Sequence, residues 1–128
     1  MEKLKKGVIM KKICIFLFIS LCLCGCSQTI NVENEVLTRD KIEQLMNENE
    51  YVIIDVRTEE EYNEGHLVDA INIPYDIINE SIDLDKENVI FVYCKSGKRS
   101  KIAYEKLTEL GYEVYDLGGY ASINLPKE

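Results

Sequence analysis

Short apolar runs alternate with amphipathic segments along most of the chain. Four of these runs are rich in β-branched or aromatic residues and too short for helices, so they predict buried strands. The runs are 51–54, 70–73, 89–93 and 113–117. The run 89–93 gives the strongest strand signal of the four.

Amphipathic segments between the runs predict helices at 39–47 and 100–110. Residues 39–47 follow Thr38, a good N-cap residue, and residues 100–110 carry an apolar face and end before Gly111. Three smaller features are a short helix from the capping box at Thr58 and Glu61 to near Gly65, a helical turn at 75–80, and a chain turn at Gly118-Gly119. The alternation of strand and helix predicts an α/β sandwich with a central, mainly parallel sheet flanked by helices.

The first 26 residues follow a different pattern, typical of an exported protein. Five lysines precede the apolar run 13–23, which fits a secretory signal and is too short to span a membrane. The run ends in Leu23-Cys24-Gly25-Cys26, which resembles a bacterial lipobox. We therefore expect 1–25 to be a lipoprotein signal peptide, cleaved before a lipid-modified Cys26. The alternatives are an ordinary cleaved signal or a short uncleaved anchor.

Lipidation of Cys26 implies attachment to the cell membrane on a side facing away from the cytoplasm. Residues 26–37 would be a polar tether, and 38–128 a single domain of ordinary size. Loss of the five lysines and one glutamate of 1–25 leaves 10 basic and 22 acidic side chains, a net charge of −12. So acidic a chain is not expected to bind nucleic acid, because phosphate binding needs a basic face.

Cleavage and lipidation would leave Cys94 as the one free thiol, at the end of the strongest strand. The carboxyl end of a parallel strand is where open α/β sheets bind ligands. The tight loop after Cys94 leads into a helix, whose N-terminal N–H groups favour an anion and lower a thiol pKa. Lys95, Lys98, Arg99 and Lys101 make the loop basic and suited to a small anionic substrate. Taken separately, a buried cysteine is often a small hydrophobe and a lysine-rich loop is often solvated surface.

Several motifs resemble the single-domain rhodanese (sulfurtransferase) family in order and spacing, over about residues 37–126. They are Ile54-Asp55-Val56-Arg57, Glu61-Tyr62, Gly65-His66-Leu67, Ala70-Ile71-Asn72-Ile73-Pro74, Tyr93-Cys94-Lys95-Ser96-Gly97-Lys98-Arg99-Ser100, Gly111-Tyr112 and Leu117-Gly118-Gly119. The resemblance implies a rhodanese-like three-layer sandwich. The sequence departs from the family pattern at Val68-Asp69, where Pro-Gly is usual, and at Ile123, where Trp is usual.

The resemblance also implies sulfur transfer through a persulfide on Cys94. The substrate would be thiosulfate or a similar small anionic donor, with cyanide or a thiol as acceptor and with no metal or organic cofactor. The implied donor-binding residues are Lys95, Ser96, Gly97, Lys98, Arg99 and Arg57. We expect a monomer.

Three alternatives bear on these roles. Rhodanese-like and tyrosine phosphatases place Arg six residues after Cys, whereas Arg99 lies five after Cys94, so the loop is too tight for phosphate. A non-enzymatic sulfur-relay, redox or protein-binding module stays open as a second function. Arg57 is at least as well explained by an ion pair with Asp55 or another buried carboxylate as by contact with substrate. For His66 a structural role is favoured over that of a catalytic base.

Overall fold

A computed structural model describes residues 37–128, so the predicted signal peptide, Cys26 and all but the last residue of the tether lie outside the described residues. The elements are α1 (Arg39–Glu48), β1 (Tyr51–Asp55), α2 (Glu59–Asn63), β2 (Ala70–Asn72), β3 (Val89–Cys94), α3 (Lys98–Glu109), β4 (Glu113–Gly119) and a final 3₁₀ helix (Tyr120–Ser122). Within this part of the chain, none of the helices has the length and apolar character needed to cross a membrane.

The four strands form one sheet in the order β2-β1-β3-β4, and all neighbouring pairs are parallel. Their carboxyl ends therefore lie along the same edge of the sheet, which brings Asp55 of β1 next to the end of β3. The predicted α/β architecture with a central parallel sheet is confirmed.

Alternate residues of β3 pack against opposite sides of the sheet. Ile90, Val92 and Cys94 join a core that includes Ala103 and Leu107 of α3. Val89, Phe91 and Tyr93 join a second core that includes Leu45 of α1. All six residues of β3 are buried, as expected for a central strand covered on both faces. Because both cores are built from residues within 37–125, this part of the chain has what a domain needs to fold on its own.

Local sequence signals account for the helix starts. The Thr38 hydroxyl accepts a hydrogen bond from the Lys41 N–H and caps α1. At α2, Thr58 accepts from the Glu61 N–H while the Glu61 carboxylate accepts from the Thr58 N–H, which confirms the capping box.

Three predicted features differ from the structure by more than one residue or in kind. Helix α3 begins at Lys98 rather than Ser100, because Gly97 already serves as its N-cap. Gly118 and Gly119 belong to β4 rather than to a turn, since the register of β3 and β4 shifts after Val92 and pairs both glycines with β3. Residues 75–80 form isolated turns and no helix.

The two departures from the family pattern are accommodated by the fold. Asp69 has a φ of 64°, a left-handed conformation that Asp tolerates better than most residues. Ile123 is buried in the second core with Leu67 and Tyr93. An aliphatic side chain therefore fills part of the space below the end of β3.

Candidate active site

The sulfur of Cys94 lies at the carboxyl end of β3, against the start of α3. Its Sγ accepts a hydrogen bond from the Gly97 N–H at 3.0 Å and lies 3.6 Å from the Ser100 hydroxyl oxygen. That hydroxyl in turn donates to the Gly97 carbonyl at 3.1 Å. The Cys94 side chain is fully buried, so a substrate reaches the sulfur only when neighbouring groups move.

The loop from Cys94 to α3 aims backbone donors at the sulfur. Gly97 has a φ of 89°, a left-handed conformation that turns the chain and lets its own N–H face Cys94. No side chain caps α3, and the sulfur accepts from the N–H of its N-cap residue, Gly97, so it lies at the helix N-terminus. A negative charge there is also favoured by the helix dipole of this 12-residue helix.

These contacts change the acidity of the thiol. Burial by itself raises the pKa of Cys94, but hydrogen bonds from Ser100, Ser96 and Gly97 outweigh that effect, so the pKa of Cys94 lies below its ordinary value. A larger thiolate fraction at neutral pH follows, and the thiolate is the nucleophilic form of cysteine.

The double glycine of β4 forms the other wall of the loop. A Cβ on Gly119 would lie 2.8 Å from the Lys95 carbonyl oxygen, closer than a real Cβ contact allows. The adjoining Gly118 has a φ of 82°. The sequence predicted only a turn here, whereas the structure shows that the missing side chain of Gly119 lets β4 approach the loop.

Arg99 and Glu61 form an ion pair beside the loop. The two terminal nitrogens of Arg99 donate to the two carboxylate oxygens of Glu61 at 2.7 and 2.9 Å. About a quarter of each side chain is exposed, 26% for Arg99 and 23% for Glu61. The hydrogen bond from Arg99 is the main reason that the pKa of Glu61 falls to about 2. The pair connects the first turn of α3 to the start of α2.

Arg57 lies in a buried ion pair with Asp55, the contact that the sequence offered as an alternative to donor binding. Its guanidinium contacts both carboxylate oxygens, with the shortest distance 2.6 Å, and also donates to the Gly65 carbonyl at 2.7 Å. The guanidinium carbon lies 4.5 Å from the centre of the Tyr120 ring. The side chain is 6% exposed, so these contacts use most of its surface.

The remaining predicted donor-binding residues lie around the loop and face solvent. Lys95, Ser96 and Lys98 are exposed and Gly97 is half-buried, as is Arg99. Lys101, one turn into α3, is exposed as well. The structure thus gathers the basic side chains on the surface around the buried sulfur.

His66 has structural contacts. Its ring stacks on Tyr62 with 3.8 Å between centroids, and its Nδ1 lies 2.9 Å from the Tyr62 carbonyl oxygen. Its Nε2 lies 3.4 Å from a carboxylate oxygen of Glu128. Among residues 37–128 the polar contacts of His66 therefore go to Tyr62 and Glu128, and none goes to Cys94.

Sequence reasoning missed the roles of Glu61 and Ser100 at this site. The sequence indicates Glu61 as part of a helix cap and of a family motif, but not as the partner of Arg99, 38 positions away. The sequence predicts a helix that starts at Ser100, whereas the fully buried Ser100 hydroxyl lies beside the sulfur. The sequence signal for Ser100 is its place at the end of the family motif that begins at Tyr93.

Comparison with known proteins gives one consistent answer. Residues 38–125 match the family model described as a rhodanese-like domain. The chain is 42% identical over 78 residues to the thiosulfate sulfurtransferase PspE of Escherichia coli, a match that covers 58% of this chain and 75% of that protein. It is 36% identical over 80 residues to the thiosulfate sulfurtransferase GlpE of Coxiella burnetii, covering 60% and 75% respectively.

The fold matches solved structures as well. A structure of a rhodanese with anions from E. coli superposes with a TM-score of 0.56 at 37% identity, covering 61% of this chain and 96% of that one. Both the sequence and the fold are therefore similar to those of sulfurtransferases.

Proposed function

The chain belongs to the rhodanese-like domain family, and from that premise we propose that it is a sulfurtransferase that carries sulfur on Cys94. The donor is thiosulfate or a similar small anion, and the acceptor is a thiophilic nucleophile such as cyanide or a thiol. Two of its relatives are named thiosulfate sulfurtransferases, and the E. coli structure that it resembles contains anions.

One observation carries the proposal: Sγ of Cys94 is buried against the Gly97 N–H at the start of α3, beside a basic loop surface. This environment lowers the pKa of the thiol and favours an anion. A persulfide anion on Cys94 would extend toward the same loop. Backbone N–H groups of residues 95–99 are then available to stabilise its outer sulfur, each worth about 1.5–3 kcal/mol when the acceptor is charged.

In the first step the Cys94 thiolate attacks the outer sulfur of thiosulfate. A new S–S bond forms, and the original S–S bond breaks with its electron pair leaving on sulfite. The dianionic donor becomes dianionic sulfite, and the single negative charge of the enzyme moves from thiolate to persulfide.

In the second step the acceptor attacks the outer sulfur of the persulfide. With cyanide, a C–S bond forms, thiocyanate leaves, and the electron pair of the broken S–S bond restores the Cys94 thiolate. No proton transfer is required in either step. Lys98 and Arg99 would attract the donor, and we assign Arg57 to its buried ion pair with Asp55 rather than to the donor.

Steady-state kinetics test the proposal, with thiosulfate and cyanide varied together on the soluble chain of residues 27–128. Because sulfite leaves before cyanide reacts, double-reciprocal plots should give parallel lines, and Cys94→Ser should form no thiocyanate. Intersecting lines would contradict the two-step route. Absence of thiocyanate from a folded protein with intact Cys94 would instead favour the relay, redox or binding module.

We also propose that Cys26 is lipidated and holds the domain at the membrane, outside the cytoplasm. The support is the motif Leu23-Cys24-Gly25-Cys26 after the apolar run 13–23. Cells fed a labelled fatty acid should yield labelled protein in the membrane fraction. Cys26→Ser should abolish both the label and the membrane association. Unlabelled wild-type protein released to the soluble fraction would contradict the anchor.

A further inference from the structure

Arg99 is the loop cation best placed to meet an anionic donor, yet its charge is already partly offset. It lies five positions after Cys94 in the first turn of α3, and its two terminal nitrogens are bound to Glu61. Three further cations, Lys95, Lys98 and Lys101, are exposed around the same loop. An anion that approaches Cys94 therefore meets three exposed lysines and one arginine whose charge is shared.

Glu61 is fixed in its position by its own helix. Its Oε2 accepts from the Thr58 N–H at 3.1 Å and from the Thr58 hydroxyl at 3.3 Å, as part of the capping box of α2. The same oxygen accepts from Arg99 at 2.7 Å. Because α2 holds the Glu61 carboxylate in place, the Arg99 side chain is the one that moves when an anion competes with Glu61 for Arg99.

Competition between Glu61 and the anion for Arg99 would affect how fast the product sulfite is released. The donor thiosulfate and the product sulfite are both dianions, so a site with four unopposed cations would retain sulfite as firmly as it binds donor. A carboxylate that reclaims Arg99 weakens both complexes and speeds the release of sulfite before the acceptor arrives.

Resting on the proposed sulfurtransferase function, we propose that Glu61 is a positioning residue that holds Arg99 beside the Cys94 loop and competes with dianions for it. Glu61 thereby sets the affinity for the donor and the rate of sulfite release. The capping box holds the Glu61 carboxylate in place, whereas the Arg99 side chain can move toward a bound anion.

The test replaces Glu61 by Gln, which removes the charge and retains the capping box, since Gln serves at the same helix position. Glu60→Gln is the matched control, because Glu60 is an exposed carboxylate on the same short helix. In the soluble chain of residues 27–128, Glu61→Gln should lower the KM for thiosulfate and the inhibition constant for sulfite by at least about threefold. Glu60→Gln should change each by less than about 1.5-fold.

A second readout needs no sulfur transfer. Cys94 is alkylated with anionic iodoacetate and with neutral iodoacetamide, each of which forms an S–C bond and releases iodide, and the ratio of the two rates is measured. Glu61→Gln should raise the iodoacetate to iodoacetamide ratio by at least about threefold over wild type, with Glu60→Gln unchanged. Should Glu61→Gln fail to fold, Glu61→Asp withdraws the carboxylate by one methylene and should change the ratio in the same direction.

The two proposals fail separately. If wild type forms no thiocyanate but Glu61→Gln still raises the alkylation ratio, sulfur transfer is refuted, while the competition of Glu61 with anions for Arg99 stands. Normal turnover with equal ratios and equal KM values in wild type and Glu61→Gln would overturn the role of Glu61 alone. An equal rise in Glu60→Gln would also overturn it, because the effect would then be one of general charge.

Discussion

Removal of the guanidinium of Arg57 should be among the most destabilising single changes in this domain. Arg57→Met keeps much of the side-chain length and removes the charge, leaving the Asp55 carboxylate, which is fully buried, without its cation. The change also removes the donor to the Gly65 carbonyl and the cation that lies 4.5 Å from the Tyr120 ring. Of the three groups affected, the Asp55 carboxylate is fully buried, whereas Gly65 and Tyr120 are half-buried, so the stranded carboxylate dominates the loss.

Breaking a buried ion pair by removing one partner costs about 3–5 kcal/mol. In a domain of this size about 1 kcal/mol corresponds to 4–8 °C in Tm, so we expect Tm to fall by at least about 12 °C. Urea unfolding of residues 27–128 at pH 7 gives the free energy directly. Arg39→Ala is the control, because it breaks an ion pair with Glu43 that is 58% and 49% exposed and should cost less than about 1 kcal/mol.

The double variant Arg57→Met with Asp55→Ala separates the ion pair from general packing. Because the second change removes the stranded charge, the double variant should be more stable than the sum of the two single losses predicts. A loss below about 1 kcal/mol for Arg57→Met would refute the reasoning. Strict additivity would also refute it, since the two side chains would then act independently.

Four further predictions concern the site. Cys94→Ser should abolish thiocyanate formation while unfolding free energy changes by less than about 2 kcal/mol, and activity equal to wild type would contradict the mechanism. Arg99→Ala should raise the KM for thiosulfate more than it lowers kcat, and an unchanged KM would remove Arg99 from the donor site. Gly119→Ala should displace the loop, because its Cβ would lie 2.8 Å from the Lys95 carbonyl oxygen, and should lower kcat/KM at least about tenfold; full activity would show that the loop yields without cost. The pKa of Glu61 lies at about 2 in the folded chain, below the ordinary 4.5, so its contribution to stability is complete above about pH 4.5 and is lost as pH falls toward 2. Unfolding at several pH values should therefore show the gap between wild type and Glu61→Gln narrowing from pH 5 to pH 2, and a constant gap would contradict the low pKa.

Predictions from the sequence succeeded where local chemistry decides the structure. The buried run Val89–Tyr93 became the central strand, and the pair Thr58 and Glu61 formed a capping box, because each signal lies within a few residues of the feature it produces. The position of Cys94 at the junction of strand and helix followed from the same local pattern.

Other features depended on contacts between distant segments. Gly118 and Gly119 resemble a turn in sequence, and only the shifted pairing with β3 makes them part of a strand. The partner of Arg99 lies 38 positions away on α2, where three carboxylates, Glu59, Glu60 and Glu61, offer equivalent charge. In the folded chain Glu61 is the one of these that binds Arg99, and no local pattern encodes that choice.

The central claim is that Cys94 carries the transferred sulfur, and intact mass of residues 27–128 tests it most directly. The protein is incubated with thiosulfate, freed of small molecules, weighed by mass spectrometry, and weighed again after addition of cyanide. We expect a gain of one sulfur atom on Cys94, lost with cyanide as thiocyanate appears in equal amount. A folded protein with free Cys94 that gains no sulfur would contradict the account.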